Sequence, residues 1–272
     1  IQIQTPPEFP APPPEAAPVW DLTVGLINAT VQLDQPSGEG TRTVGTGFLV
    51  QAPKADGTPR VVLVTAAHVF VRMEDAQARI GWRTTREDAS WRYSPEPLVI
   101  RDAGGQPLWR SPQDRDIAVM EIVAPEAFAR AAIPLGWLAD EGSFGAWQIG
   151  PGDELLSLGF PRGLSSNRAG FPILRVGRIA SYPLSPTREF PTFLIDFPVF
   201  PGNSGGPVFW TPSARKRPDT VEPPHPFIGG ILTQEVQVRA ERLEIGVVTH
   251  AIFIREAIAL LDAPDAESVA GP

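Results

Sequence analysis

One serine in the chain stands among residues that could make it a nucleophile. Ser204 lies in Pro201-Gly-Asn-Ser-Gly-Gly-Pro207, between two apolar β-type runs. Glycines on both sides let the backbone turn tightly and hold the hydroxyl up for attack. They also leave the N–H groups of Gly202 and Ser204 free to point at one spot. Two such donors can stabilise an oxyanion, a charge that develops only in the transition state. A serine hydroxyl needs a base. His68 is the candidate, in Val61-Val-Leu-Val-Thr-Ala-Ala-His-Val69, where an apolar strand runs into a small-residue turn that another segment could approach. Asp116, in Asp114-Arg-Asp-Ile-Ala-Val-Met-Glu121, opens an apolar strand. A buried acid there needs a partner, and a histidine held by it would keep the useful tautomer. Asp114 competes for that role, but Asp116 directly abuts the strand.

Each residue also has a plainer reading. Ser204 could sit in an ordinary glycine-rich turn, His68 could be a satisfied core histidine, and Asp116 could be a solvated turn residue. The three contexts together favour chemistry over coincidence. The chain has no cysteine, which excludes a disulfide framework, a thiolate metal site and a cysteine nucleophile. The histidines are His68, His225 and His250, with no HExxH pair, which argues against a zinc hydrolase. His225 reads as a loop residue and His250 as a structural one at a strand end. No metal and no cofactor is expected. The net charge is −8, from 23 basic and 31 acidic side chains, without a basic cluster. That speaks against nucleic acid or anionic membrane as a partner. No apolar run approaches the ~18 residues of a spanning helix, so no membrane insertion is expected.

These residues need a scaffold. The 272 residues, 42% hydrophobic and 20% charged, support a sizeable core. Proline is frequent, at 32 residues, seven of them in the first 18. Residues 1–19 read as a Pro-rich linker or tether. From Trp20 onward, β-type runs recur between turn signals: Thr23–Leu33, Thr43–Val50, Arg60–Thr65, Ile117–Val123, Glu154–Phe160, Ile173–Ala180, Thr192–Val199, Pro207–Trp210, Phe227–Thr233 and Glu244–Thr249. Without helices between them, they favour an antiparallel barrel or sandwich over a βαβ fold. Helical patterns are confined to Ala66–Met73 and Ile252–Leu261. Core packing is the default for Trp82, Trp91, Trp109, Trp137 and Trp147.

The chain resembles the trypsin-like (chymotrypsin-fold) serine peptidases, in the disulfide-free bacterial branch that includes the HtrA/Deg proteases. The matching runs are GTGFLV at 45–50, VTAAHV at 64–69, DIAVMEI at 116–122, LGFPRG at 158–163 and DFPVFPGNSGGPV at 196–208, in the family's order of His, Asp, Ser. The resemblance implies an all-β fold of two packed six-stranded antiparallel β-barrels with a C-terminal α-helix. The barrels would occupy residues 20–140 and 141–262, with a flexible tail at 263–272. It implies a serine endopeptidase acting on polypeptides through an acyl-enzyme; with the Pro-rich start it favours a periplasmic or secreted setting, while the lack of cysteine is equally compatible with the cytoplasm. By position, Ser204 is the nucleophile and His68 the general base, then acid. Asp116 orients His68, and the Gly202 and Ser204 amides form the oxyanion hole.

Two departures from the family matter. Asn203 replaces the aspartate that, in the digestive branch, pairs with a new N-terminus, so activation by that route is not expected. Pro198 occupies the position that floors the specificity pocket, where no acid can receive Lys or Arg. Val199, Phe200 and the strand Ile231-Leu232-Thr233 would supply an apolar wall, so cleavage after small or medium apolar residues is expected. Asp196 reads as a structural acid, and no PDZ-like module fits in the remaining residues. Two rivals stand beside this reading. One is a catalytically silent protease-fold module that binds peptides. The other is an α/β-hydrolase-type esterase using Ser204 with His250 and Asp219, since Gly202-Asn-Ser-Gly-Gly206 formally matches GxSxG.

Overall fold

The computed structural model describes residues 19–38, 40–211, 227–238 and 241–263. The first half carries α1 (Val19–Ala29), β1 (Thr30–Pro36), β2 (Arg42–Gln51), β3 (Val61–Thr65), α2 (Ala67–Val71), β4 (Gln77–Thr85), β5 (Trp91–Val99) and β6 (Ala118–Ile122). Next come α3 (Glu126–Ala131), β7 (Ile133–Pro134) and α4 (Ser143–Ala146). The second half carries β8 (Glu154–Gly159), β9 (Ile173–Ile179), β10 (Thr192–Asp196), β11 (Pro207–Trp210), β12 (Phe227–Val238), β13 (Glu241–His250) and α5 (Ile252–Ala259).

The fold is all-β with a C-terminal helix. The second sheet closes as a six-stranded antiparallel barrel in the order β10-β13-β12-β11-β8-β9. The first runs through six strands, β5-β4-β1-β2-β3-β6, with the short β7 added to β2 in parallel. Its end strands β5 and β6 do not pair with each other. Residues of the 100–110 segment, such as Pro107 and Leu108, line the space between them.

Strands β2 and β3 read as unbroken apolar runs because both of their faces are buried. Successive side chains alternate between faces. Leu49 and Leu63 point into the first sheet's own core, with Val31, Leu33, Ile80 and Trp82. Phe48, Val50, Val62 and Val64 join a larger cluster with Leu155, Phe209, Ile231 and Phe253 of the second half. One ribbon therefore fills one sheet and packs against the other. The C-terminal helix crosses the same divide, since the Arg115 guanidinium lies 4.5 Å over the Phe253 ring.

The run expected as a strand at Thr23–Leu33 is α1 followed by β1, and Val19, placed in the linker by sequence, opens that helix. The physical reason is a cap from far away. The last carbonyls of α1 lack helical partners. Arg83 of β4 donates to the carbonyls of Ile27, Asn28 and Thr30, and across the molecule to Gly170. Thr30 Oγ1 donates to Leu26 O at 3.0 Å. Leu26 and Ala29 are buried. Burial strips water from the guanidinium and lowers the Arg83 pKa to about 10, with Tyr93 acting in the opposite direction; its charge rests on the carbonyls it donates to and on the Phe128 and Phe171 rings.

The β4–β5 hairpin also escaped sequence reading. β5 is mostly exposed and contains Pro95 and Pro97, which suit an edge strand but erase the usual alternation. Trp91 stands half-exposed on it, edge-on to Phe171 at 5.1 Å, and does not enter the core. Trp82 and Trp109 do.

Replacing Arg83 with Met removes the donor to the two helix-end carbonyls of Ile27 and Asn28 and to the Thr30 carbonyl that opens β1. The expected loss is about 1–3 kcal/mol in urea denaturation. Hydrogen exchange should rise first at residues 19–29 and remain slow in the second barrel.

Candidate active site

The chain after β3 turns through Ala66 into α2, and this places His68 on the first turn of that helix. Asp116 precedes β6, the neighbour of β3, so strand pairing of Thr65 with Ala118 brings the two residues together. Asp116 Oδ1 accepts from the His68 backbone N–H at 2.9 Å, and Oδ2 lies 2.6 Å from His68 Nδ1. One carboxylate thus holds both the backbone and the ring of the histidine. Burial acts to raise the Asp116 pKa, but hydrogen bonds and charge from His68 and the Ala67 amide outweigh it and hold it below the usual carboxylate range. Asp114 is exposed and pairs with Arg115 instead.

Ser204 arrives from the second barrel, in the connection between β10 and β11. The Phe200–Asn203 segment closes as a turn, with Asn203 N–H donating to Phe200 O at 3.0 Å. Gly202 has φ +97°, the positive value that the third position of a type II turn demands, and Pro201 suits the position before it. Gly205 has φ +90°, and a Cβ there would collide with the Thr46 carbonyl and Thr65 hydroxyl of the first sheet. The amides of Gly202 and Ser204 donate to no protein acceptor among the described residues. They are the two backbone donors singled out from sequence.

His68, Asp116 and Ser204 line one cleft of ≈370 Å³, together with Arg72, Val199, Phe200, Pro201, Thr233 and Gln234. In this conformer the Ser204 hydroxyl donates to the Thr233 carbonyl at 3.2 Å, and no hydrogen bond joins it to His68. The apolar wall is narrower than expected. Val199, Phe200 and Thr233 face the cleft, whereas Ile231 and Leu232 are fully buried in the large core and do not. Pro198 is half-buried, and its carbonyl accepts from Arg175 at 3.3 Å. Arg175 and Arg162 flank the Phe200 ring at 5.3 and 5.4 Å. Asp196 is exposed at the end of β10.

A family profile described as "Trypsin-like peptidase domain" matches residues 45–212, the stretch that holds all three groups. The chain belongs to the trypsin-like peptidase family. No curated protein matches it. Among solved structures it is similar to the HtrA-type protease AlgWS227A with tripeptide, at 16% identity and a TM-score of 0.55, over 90% of this chain and 64% of that one. A serine endoprotease from Yersinia pestis matches at 17% identity and TM-score 0.53, over 91% and 67%. The chain thus spans about two thirds of the length of these structures. At such identities the likeness establishes the fold.

Arg72 and Gln234 are cleft residues that sequence reasoning missed, and Arg72 is the charged one. Arg72 follows α2 directly, four residues after His68 and so on the same side of the helical turn. That spacing was the available signal. His250, the base of the esterase rival, lies elsewhere. It is buried in the second barrel against Phe144 and Phe193, with Nε2 unpartnered. The residues after Ser204 form strand β11 and not the helix a nucleophile elbow requires. These two observations overturn that rival. Asp219 and His225 lie outside the described residues.

Burial pushes the His250 pKa down to about 4, with the charge of the Glu141 carboxylate acting in the opposite direction. The unfolded chain therefore takes up this proton first as pH falls. Stability from the neutral ring is complete above the ordinary imidazole range and is lost between about pH 6.5 and 4. The expected loss is ~3 kcal/mol over that window. Urea midpoints of His250→Phe, whose ring fits the same aromatic surroundings, should fall less on acidification than those of the parent chain.

Proposed function

We propose that the chain is a serine endopeptidase that cleaves polypeptides through an acyl-enzyme formed on Ser204. The observation that carries this is the convergence, in one cleft, of a carboxylate-held imidazole and a serine hydroxyl, beside the Gly202 and Ser204 amides, which donate to no protein acceptor among the described residues. The Ser204 hydroxyl turns from the Thr233 carbonyl toward His68, a side-chain rotation that occurs in picoseconds to nanoseconds where space allows. Nε2 of His68 takes its proton as Oγ attacks the scissile carbonyl carbon. The oxyanion is received by the Gly202 and Ser204 amides. The imidazolium then gives its proton to the leaving amine, and the C–N bond breaks to leave the acyl-Ser204 ester. Water, deprotonated by the same imidazole, hydrolyses that ester and frees Ser204. Asp116 stays ionised throughout, consistent with its lowered pKa, and stabilises the imidazolium.

Polypeptide substrates suit the cleft, and two of the similar structures are HtrA-type proteases described with a tripeptide and with a decapeptide. Side-chain preference follows from the lining. Phe200 offers apolar surface, with the nearly buried Val199 beside it, and Asp116, which also lines the cleft, is already paired. Arg72 adds positive charge, which disfavours Lys and Arg. Small or medium apolar residues are therefore expected before the cut.

The test uses a fluorophosphonate probe and a peptide library on the purified chain. The parent should label at Ser204 and cleave after Ala, Val or Leu. Ser204→Ala should keep its thermal midpoint and lose both labelling and turnover. A parent that binds peptides without labelling would support the silent-module reading. Hydrolysis by Ser204→Ala would rule out the nucleophile.

A further inference from the structure

The runs at 45–50 and 158–163 carry part of the family resemblance, yet none of their residues lines the cleft. Thr46 links them. It is fully buried in β2, and the bonds of its hydroxyl and its N–H leave the first sheet. Its hydroxyl donates to Gly202 O at 2.6 Å and accepts from Phe160 N–H at 3.1 Å. Its backbone N–H donates to Ser204 O at 2.9 Å. Its own carbonyl accepts from Thr65 Oγ1 at 2.7 Å, three residues before His68.

The consequence lies in the peptide planes. From Pro201 to Ser204 every carbonyl is engaged. Arg162 N–H holds Pro201 O at 2.6 Å, the Thr46 hydroxyl holds Gly202 O, Gly206 N–H holds Asn203 O at 3.0 Å, and Thr46 N–H holds Ser204 O. A trans peptide keeps its C=O and N–H antiparallel, so holding a carbonyl aims the N–H that follows it. The amides of Gly202 and Ser204 belong to the peptides held by Arg162 and Gly206. The two alternate peptides, 202–203 and 204–205, are the ones Thr46 holds. Gly202 has no Cβ to restrict it, so without the hydroxyl the 201–203 stretch could rotate and aim its donor elsewhere. The turn on the other side is anchored as well. Gly163 O accepts from Gln32 Nε2 and Arg42 Nη2 of the first sheet, each at 3.0 Å.

We propose that Thr46 is a positioning residue for the oxyanion site. Its hydroxyl clamps Gly202 against the 160–163 turn, so that both amide donors point into the cleft before substrate arrives. It touches no reacting atom. Preorganisation of this kind acts on the transition state more than on bound substrate. This inference rests on the reading of Ser204 as nucleophile.

Three variants test it: Thr46→Val, which removes the hydroxyl and keeps the branched shape; Thr46→Ala, which removes it without risk of overpacking; and Thr46→Ser, which restores it. Thr46→Val and Thr46→Ala should lower kcat about 10- to 100-fold with KM within about twofold. A peptide boronate, which places tetrahedral oxygen in the oxyanion site, should lose affinity in parallel with kcat. Thr46→Ser should return kcat to within about threefold of the parent. Folded Thr46→Val or Thr46→Ala with parental kcat and boronate affinity would overturn the proposal. So would failure of both to fold, which would make the residue structural. A parent chain that neither labels with fluorophosphonate nor cleaves any peptide would instead remove the reading of Ser204, whatever the Thr46 variants do.

Discussion

Burial of both faces of the β2–β3 ribbon holds the cleft together. One face completes the core of the first sheet, and the other is packed against the second barrel. Interiors packed to crystal-like density transmit position with little slack. The end of β3 therefore delivers His68 to a place fixed relative to the second barrel, and the middle of β2 delivers Thr46 to the back of the Ser204 turn. If the ribbon were packed on one face alone, the two halves could shift against each other by an ångström or more, and near-attack geometry does not survive such shifts.

Hydrogen bonds add direction to that packing. Hydrophobic contact has no preferred angle, yet the proposed chemistry needs two amides, a hydroxyl and an imidazole aimed within tens of degrees. The molecule supplies this by engaging backbone groups across the halves: Thr46 with Gly202 and Ser204, Gln32 and Arg42 with Gly163, Arg83 with Gly170. Buried polar groups are costly when unpaired, so each bond also penalises wrong relative placements. Asp116 follows the same logic. Its carboxylate would resist even partial burial alone, and its two bonds to His68 offset that cost.

Legibility from sequence varied with how local the deciding force was. The Ser204 turn was legible because Gly202 and Gly205 require positive φ, a demand written into residue type. Strands β2, β3 and β6 were legible from apolar runs, and α5 from helical spacing. Strand β5 was not, because an exposed edge strand with two prolines carries no hydrophobic pattern. Helix α1 was read as strand because its β-branched residues favour extension, and because its cap, Arg83, lies more than fifty residues downstream. Ile231 and Leu232 were expected at the cleft on chain position alone. Apolar side chains at a strand's end can face a pocket or a core, and only packing distinguishes the two.

Residue chemistry, spacing and order were enough to name the nucleophile, base and acid candidates and the all-β class, because each depends on properties carried by a few neighbouring residues. Which side chains line the cleft, where the Ser204 hydroxyl rests, and which partners Arg72 and Thr46 meet were decided by contacts between distant segments, such as Thr46 with Gly202, 156 residues apart. Such contacts form only when two cores have already set the distance between them, and no local pattern encodes that distance.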